Sequence, residues 1–136
     1  MKKKKGKFLM RKNKGFTLAE LLIVVAIISV LVAISIPIFS SQLHKAKVAT
    51  DWANLRSFYA EIQADYISTG EYNSKVKTDW HSNANYDWHS VTFLNGQKVA
   101  MKTGTCAVYF EKDTGYSIDY DCDKSHAECH LSLPVK

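Results

Sequence analysis

From Leu21 to Phe39 the chain runs 19 residues without an ionisable side chain, and between Phe16 and Phe39 the only one is Glu20. At about 1.5 Å per helical residue, that run is long enough to cross the core of a bilayer. Leu21, Leu22, Ile23, Val24, Val25, Ile27, Ile28, Val30 and Leu31 occupy every side of such a helix. A helix apolar all round has to be covered by lipid or by other helices. A carboxylate near the start of such a span costs roughly 2.5–3.5 kcal/mol to insert even on the lenient insertion scale. No cation accompanies Glu20 inside the span, so its charge needs a partner from elsewhere.

The formal charge of +5 suggests a nucleic acid or an anionic lipid as partner until the cations are located. Eight of the 18 basic residues precede Phe16: Lys2, Lys3, Lys4, Lys5, Lys7, Arg11, Lys12 and Lys14. From Phe16 onward 10 basic residues face 13 acidic ones, a net charge of −3. Phosphate recognition needs clustered Lys or Arg, so no nucleic-acid partner is expected for this part. Lysines flanking a span hold that end in the cytoplasm, which places the remainder outside. An ordinary secretory signal has an apolar core of about 7–15 residues closed by small residues at a cut site, a pattern this longer run does not follow.

Beyond Phe39, Val48, Trp52, Leu55, Tyr59, Ile62 and Tyr66 recur at spacings of four and three, the stripe of an amphipathic helix with one buried face. Lys45, Lys47, Asp51, Arg56, Glu61 and Asp65 fall on the other faces. The pattern fades at Ser68-Thr69-Gly70, where glycine can cap the C-terminus. The spacing predicts one helix from about Phe16 to about Thr69, its first half in lipid and its second half on a sheet. Pro37 removes one hydrogen bond inside it and favours a kink.

Residues 71–90 are polar, aromatic and irregular, with a short repeat, Asp79-Trp80-His81-Ser82 and Asp87-Trp88-His89-Ser90. Strand signals follow. Val91–Leu94 and Gln97–Met101 flank the two-residue turn Asn95-Gly96, and Thr105–Lys112 and Tyr116–Cys122 flank Asp113-Thr114-Gly115. With Gly115 in the left-handed position of a three-residue loop, Lys112 pairs with Tyr116, Phe110 with Ile118, Val108 with Tyr120, and Cys106 with Cys122. Apolar members then share one face, with Glu111, Ser117, Asp119 and Asp121 on the other. The result is an α+β fold: a long N-terminal helix packed on a C-terminal antiparallel sheet of about four strands.

Cys106, Cys122 and Cys129 all lie in the last third, which the topology places where disulfides persist. One is left over, and the pairs 106–122, 122–129 and 106–129 are all open. A 106–122 bridge would join directly opposed strand positions. A bridge to Cys129 would tie down the tail. Cys122, His126, Cys129 and His130 have a spacing superficially like that of a zinc site, but an oxidising location favours the disulfide, and no metal or cofactor is expected. Asp119, Asp121 and Asp123 alternate as calcium ligands do, without the glycine or the bidentate glutamate of an EF-hand, and read as a solvated strand face. Trp80 and Trp88 are a candidate ligand surface for carbohydrate or a partner filament; the plainer reading has them covering the sheet edge. No serine, histidine and aspartate arrangement stands out, so an enzyme is not expected.

Lys14-Gly15-Phe16-Thr17-Leu18-Ala19-Glu20, with the apolar helix beyond, resembles the class III signal sequence of type IV pilins and the related pseudopilins. The motif covers about the first fifth of the chain after Gly15. The resemblance implies cleavage between Gly15 and Phe16 by a membrane-embedded prepilin peptidase and N-methylation of Phe16. A start at Met10 would give the short leader M-R-K-N-K-G more usual in that family. It also implies that Glu20 neutralises the N-terminus of a neighbouring subunit as helices stack, making Phe16 and Glu20 the assembly residues. In several such filaments the helix loosens between a glycine and a proline. Pro37 matches the proline, whereas Ser29 stands where glycine is common.

By this resemblance the chain divides into a cleaved leader (1–15), a transmembrane and assembly helix (16–39), an amphipathic half (40–70), a variable loop (71–90) and a sheet with a disulfide-bounded tail (91–136). The implied function is a structural subunit of a type IV pilus supporting adhesion, motility or DNA uptake. Its implied partners are copies of itself in a helical filament, the peptidase, and a membrane platform with its assembly ATPase. It would start in the cytoplasmic membrane and end in an extracellular pilus on the bacterial surface. The alternatives are a pseudopilin of a type II secretion or competence system, or a minor pilin acting as a glycan- or DNA-binding module.

Overall fold

The computed structural model describes residues 2, 6, 15–78, 88–123 and 126–135. Helix α1 spans Leu18–Thr69, 52 residues with Pro37 inside it. It is followed by strands β1 (Ser90–Thr92), β2 (Lys98–Ala100), β3 (Gly104–Glu111) and β4 (Gly115–Cys122), a 3-10 turn at Ala127–Cys129, and β5 (Leu131–Leu133). There are thus five strands in two sheets, β1-β2 and β3-β4-β5, all antiparallel, where about four strands in one sheet were expected. The chain divides into two compact units, residues 1–39 and residues 40–136.

In the second unit Val48, Leu55, Phe58 and Ile62 of α1 join Val91, Val108, Tyr116, Ile118, Tyr120, Leu131 and Leu133 in one core. Trp52, Tyr59 and Tyr66 pack against its edge. The buried face of α1 therefore runs through Val48, Asp51, Leu55, Phe58 and Ile62. Asp51, expected on a solvent face, is 0% exposed. Its Oδ1 accepts from the Lys102 N–H at 2.6 Å, and its Oδ2 accepts from the Thr103 N–H at 3.0 Å and the Tyr120 hydroxyl at 2.7 Å. Three donors satisfy a carboxylate that burial alone would make costly.

Polar side chains of α1 also hold both hairpins. Glu61, likewise expected to face solvent, accepts from the Leu94 N–H at 3.0 Å. Gln63 accepts from the Tyr116 N–H at 2.9 Å and donates to the Thr114 carbonyl at 3.2 Å, and the Tyr66 hydroxyl donates to the Lys112 carbonyl. The helix ends as the glycine signal implied, with the Gly70 N–H donating to the Tyr66 carbonyl at 2.7 Å. In the segment after it Val76 and Thr78 are buried, so the start of the loop region belongs to the core.

Both hairpins differ in detail from the sequence reading. In the first, Phe93 faces Gln97 across Leu94-Asn95-Gly96, with the Gly96 N–H bonded to the Phe93 carbonyl and Gly96 at φ +89. Asn95-Gly96 thus closes a three-residue loop instead of forming a two-residue turn. In the second, Glu111 pairs with Gly115, Phe110 with Tyr116, Val108 with Ile118, Cys106 with Tyr120 and Gly104 with Cys122. The expected register is displaced by two because the loop residues are Lys112-Asp113-Thr114, and Gly115, at φ +85, already belongs to the return strand. An even displacement keeps every side chain on its expected face but separates Cys106 from Cys122. The disulfide joins Cys122 to Cys129, with Cα atoms 5.8 Å apart, and Cys106 is buried outside it.

Candidate functional site

In the first unit, every residue from Gly15 to Phe39 is exposed. Phe16 is 92% exposed, and Leu18, Leu21, Leu22, Ile23, Val24 and Val25 are all more than half exposed. α1 is the one helix among the described residues long and apolar enough to cross a membrane. The polar atoms of this segment are handled internally. The hydroxyls of Ser29 and Ser35 donate to the carbonyls of Val25 and Leu31, each at 2.7 Å. Such back-bonding removes two polar groups from the helix surface. The helix continues through Pro37, which leaves the Ala33 carbonyl without the amide it would otherwise accept from.

The start of the helix contains a feature missed in the sequence. The Thr17 hydroxyl accepts from the Glu20 N–H at 3.2 Å, and Glu20 Oε2 accepts from the Thr17 N–H at 2.9 Å. This reciprocal pair is a capping box, and the spacing Thr-x-x-Glu ahead of an apolar run was its signal. Glu20 therefore has a hydrogen-bond donor in its own chain, while no cation lies beside it among the described residues. Its carboxylate also sits in the first turn, where the helix dipole favours negative charge by about 0.3–1 kcal/mol. An amine made by cleavage before Phe16 would stand one residue from this cap.

The remaining expected site residues scatter. Gly15 is exposed in non-helical backbone. Trp88 is 50% exposed, and its carbonyl accepts from the Cys106 N–H at 2.8 Å, fixing that end of the loop to β3. Trp80 lies outside the described residues, as do most of the leader lysines and Met10. Asp119, Asp121 and Asp123 do not converge: they face Ser132 at 2.6 Å, His130 at 2.9 Å and Thr103 at 2.9 Å respectively.

An apolar, anchor-length helix with a capped glutamate at its head, its second half packed on small antiparallel sheets, defines a pilin-like α+β protein. Residues 10–36 match the family model described as the prokaryotic N-terminal methylation motif. A fimbrial protein of Moraxella nonliquefaciens is 29% identical over 112 residues, covering 77% of this chain and 70% of the relative. The type IV major pilin protein PilA of Myxococcus xanthus is 39% identical over 62 residues, 46% of this chain and 28% of the relative. The type IV narrow pilus major component PilA5 of Thermus thermophilus is 48% identical over 61 residues, 41% of this chain and 53% of that protein. The chain thus spans about half or less of the last two relatives. No solved structure matches it. The motif and these relatives are alike in kind, and the chain is similar to type IV pilins and fimbrial proteins, most of all through its N-terminal helix.

Proposed function

We propose that this chain is the structural subunit of a type IV pilus, made as a membrane-anchored precursor and polymerised through the helix that begins after Phe16. The observation that carries the reading is the exposed apolar surface from Leu21 to Phe39 with Glu20 at its head. In lipid that surface gains little by leaving, because acyl chains are as apolar as Leu, so assembly needs outside work. A membrane platform and a cytoplasmic ATPase would supply it. A prepilin peptidase would cut after Gly15, where no side chain obstructs the scissile bond, and Phe16 would become the methylated N-terminus. The capping box gives Glu20 a defined position, with Oε1 left to meet the terminal cation of a neighbouring copy. Methylation keeps that amine cationic, so the pairing survives it.

The relatives' names, fimbrial protein and type IV pilin, support a surface pilus over a secretion pseudopilus. Mass spectrometry of material sheared from the cell surface tests the proposal. An abundant band with methylated Phe16 at its N-terminus is the expected result. Secretion with residues 1–15 intact would overturn it.

A further inference from the structure

The fold gathers four metal-ligating side chains that the sequence does not group. His44 of α1 meets Cys122, His126 and Cys129, and the ligand atoms of all four lie within 4.8 Å of one another. His130, which the sequence spacing suggested, is turned away toward Asp121. His44 arrives through helix geometry, because His44, Val48 and Trp52 share one face and the Trp52 Nε1–H donates to the Cys129 carbonyl at 3.2 Å. The face that fastens the tail thus also delivers an imidazole to its cysteines. The rings of His44 and His126 meet edge to face at 5.7 Å.

We propose that in the dithiol form of the chain His44, Cys122, His126 and Cys129 bind one zinc-like dication, so that metal and disulfide are alternative closures of the same tail. A tetrahedral Cys2His2 site needs ligand atoms about 3.3–3.8 Å apart, given zinc–sulfur and zinc–nitrogen bonds near 2.3 and 2.0–2.1 Å. Reduction frees the two bonded sulfurs to part to that spacing, and contracting the widest separation by about 1 Å is within the reach of side-chain rotation.

The imidazole of His44 has the arrangement of a ligand. Its Nε2 is buried with no hydrogen-bond partner among the described residues, while its Nδ1 lies 3.9 Å from Asp123 Oδ1. That carboxylate oxygen is itself held by the Thr103 hydroxyl at 2.9 Å. At 3.9 Å the His44–Asp123 pair is beyond a hydrogen bond, and a small turn of the ring would bring the carboxylate to the supporting position usual behind a metal-bound imidazole. Exposed His126 leaves the cluster open to an arriving ion, while Cys122 and Cys129 are buried.

Cysteines are incorporated as thiols, so every chain begins in the dithiol state. Binding the dication displaces both thiol protons to water and leaves a neutral site of two thiolates, two neutral imidazoles and the metal. A disulfide-carrying oxidant then accepts two electrons from the two thiolates and two protons from water, becoming a dithiol, while the Cys122–Cys129 sulfur–sulfur bond forms and the dication leaves.

The test uses the full chain in detergent micelles. A phosphine reductant and water split the Cys122–Cys129 bond, yielding two thiols and the phosphine oxide. Cobalt(II) chloride is then added without oxygen, followed by zinc chloride in competition. Expected are one cobalt per reduced chain with tetrahedral ligand-field and thiolate charge-transfer bands, displacement by zinc, and no uptake by the oxidised chain. His44→Ala and the exposed-site variant His126→Ala should each weaken binding at least about tenfold. His130→Ala should leave it unchanged. Re-forming the Cys122–Cys129 bond in each variant after reoxidation shows that its tail still folds. No uptake by the reduced wild-type chain, equal uptake by the oxidised chain, or equal affinity in the reoxidisable His44→Ala variant would each overturn the proposal.

Discussion

The hydroxyl of Tyr120 donates a 2.7 Å hydrogen bond to the carboxylate of Asp51, joining the middle of α1 to β4 across 69 residues of sequence, with both side chains 0% exposed. The same carboxylate holds the N–H groups of Lys102 and Thr103 at the entrance to β3. Helix, strand and connecting loop are therefore fixed by one side chain.

Asp51→Ala should destabilise the chain more than any single truncation of an apolar contact at the edge of the core. It strands two backbone N–H groups and a phenol, each at about 1–3 kcal/mol if left unsatisfied. Tyr120→Phe, which removes one charge-assisted bond, should cost about 1.5–3 kcal/mol. Denaturant melts of both variants measure the order, with Asp51→Ala expected to have the lower midpoint.

Alkaline pH should weaken the fold. Burial, and secondly the bond to Asp51, push the Tyr120 phenol well above its ordinary 10.0, and burial also raises Tyr116 and Tyr59. The unfolded chain loses these protons near pH 10.0 while the folded chain retains them. Their stabilisation is therefore complete below that value and declines as pH rises beyond it. Melting midpoints should be flat between about pH 7 and pH 9 and fall above about pH 10, less steeply in Tyr120→Phe.

Glu20 has two roles that substitution can separate. Glu20→Gln retains the capping arrangement and loses the charge, whereas Glu20→Ala loses both. Both variants should be cut after Gly15, and both should give few surface filaments. Wild-type filament yield from Glu20→Gln would show that capping is sufficient. Thr17→Ala keeps the charge and forfeits about 0.5–2 kcal/mol of cap, so it should assemble better than either.

Gly115→Ala should disturb the second hairpin. A Cβ there would press on the Gln63 amide and the Tyr66 ring in a backbone conformation, φ +85, that alanine adopts at a cost of about 1–2 kcal/mol. Hydrogen exchange should show faster opening of the Tyr116 amide, which Gln63 receives.

Cys129→Ser should release the tail. In a chain-entropy account, closing a loop of this length contributes about 2.5 kcal/mol, and Leu131 and Leu133 at the edge of the core depend on it. Proteolysis should cut the variant after β4 first.

Much of this was legible because local signals and core demands agreed. The helix end at Gly70 and the alternating faces of β3 and β4 follow from glycine chemistry and a period of two. What escaped depended on remote backbone. Asp51 reads as a solvent residue until Lys102 and Thr103 bring their amides to it. β5 is three residues long, too short to leave a periodic trace, and exists because Ile118 and Tyr120 pair with Leu133 and Leu131. The register error came from assigning Gly115 to the loop when its left-handed backbone opens the strand. The capping box at Thr17 and Glu20 is legible in the Thr-x-x-Glu spacing, which the carboxylate's charge by itself does not reveal.

With the hydroxyls of Ser29 and Ser35 folded back on their own carbonyls, the stretch from Leu21 to Phe39 offers a neighbour no side-chain donor at all. A neighbouring copy laid along it could be met only through apolar contact, so ridges of branched side chains seated in grooves, and not hydrogen bonds, would set the angle and the axial step. Of the ionisable groups near this stretch only Glu20, at its head, could add a polar mark to that fit.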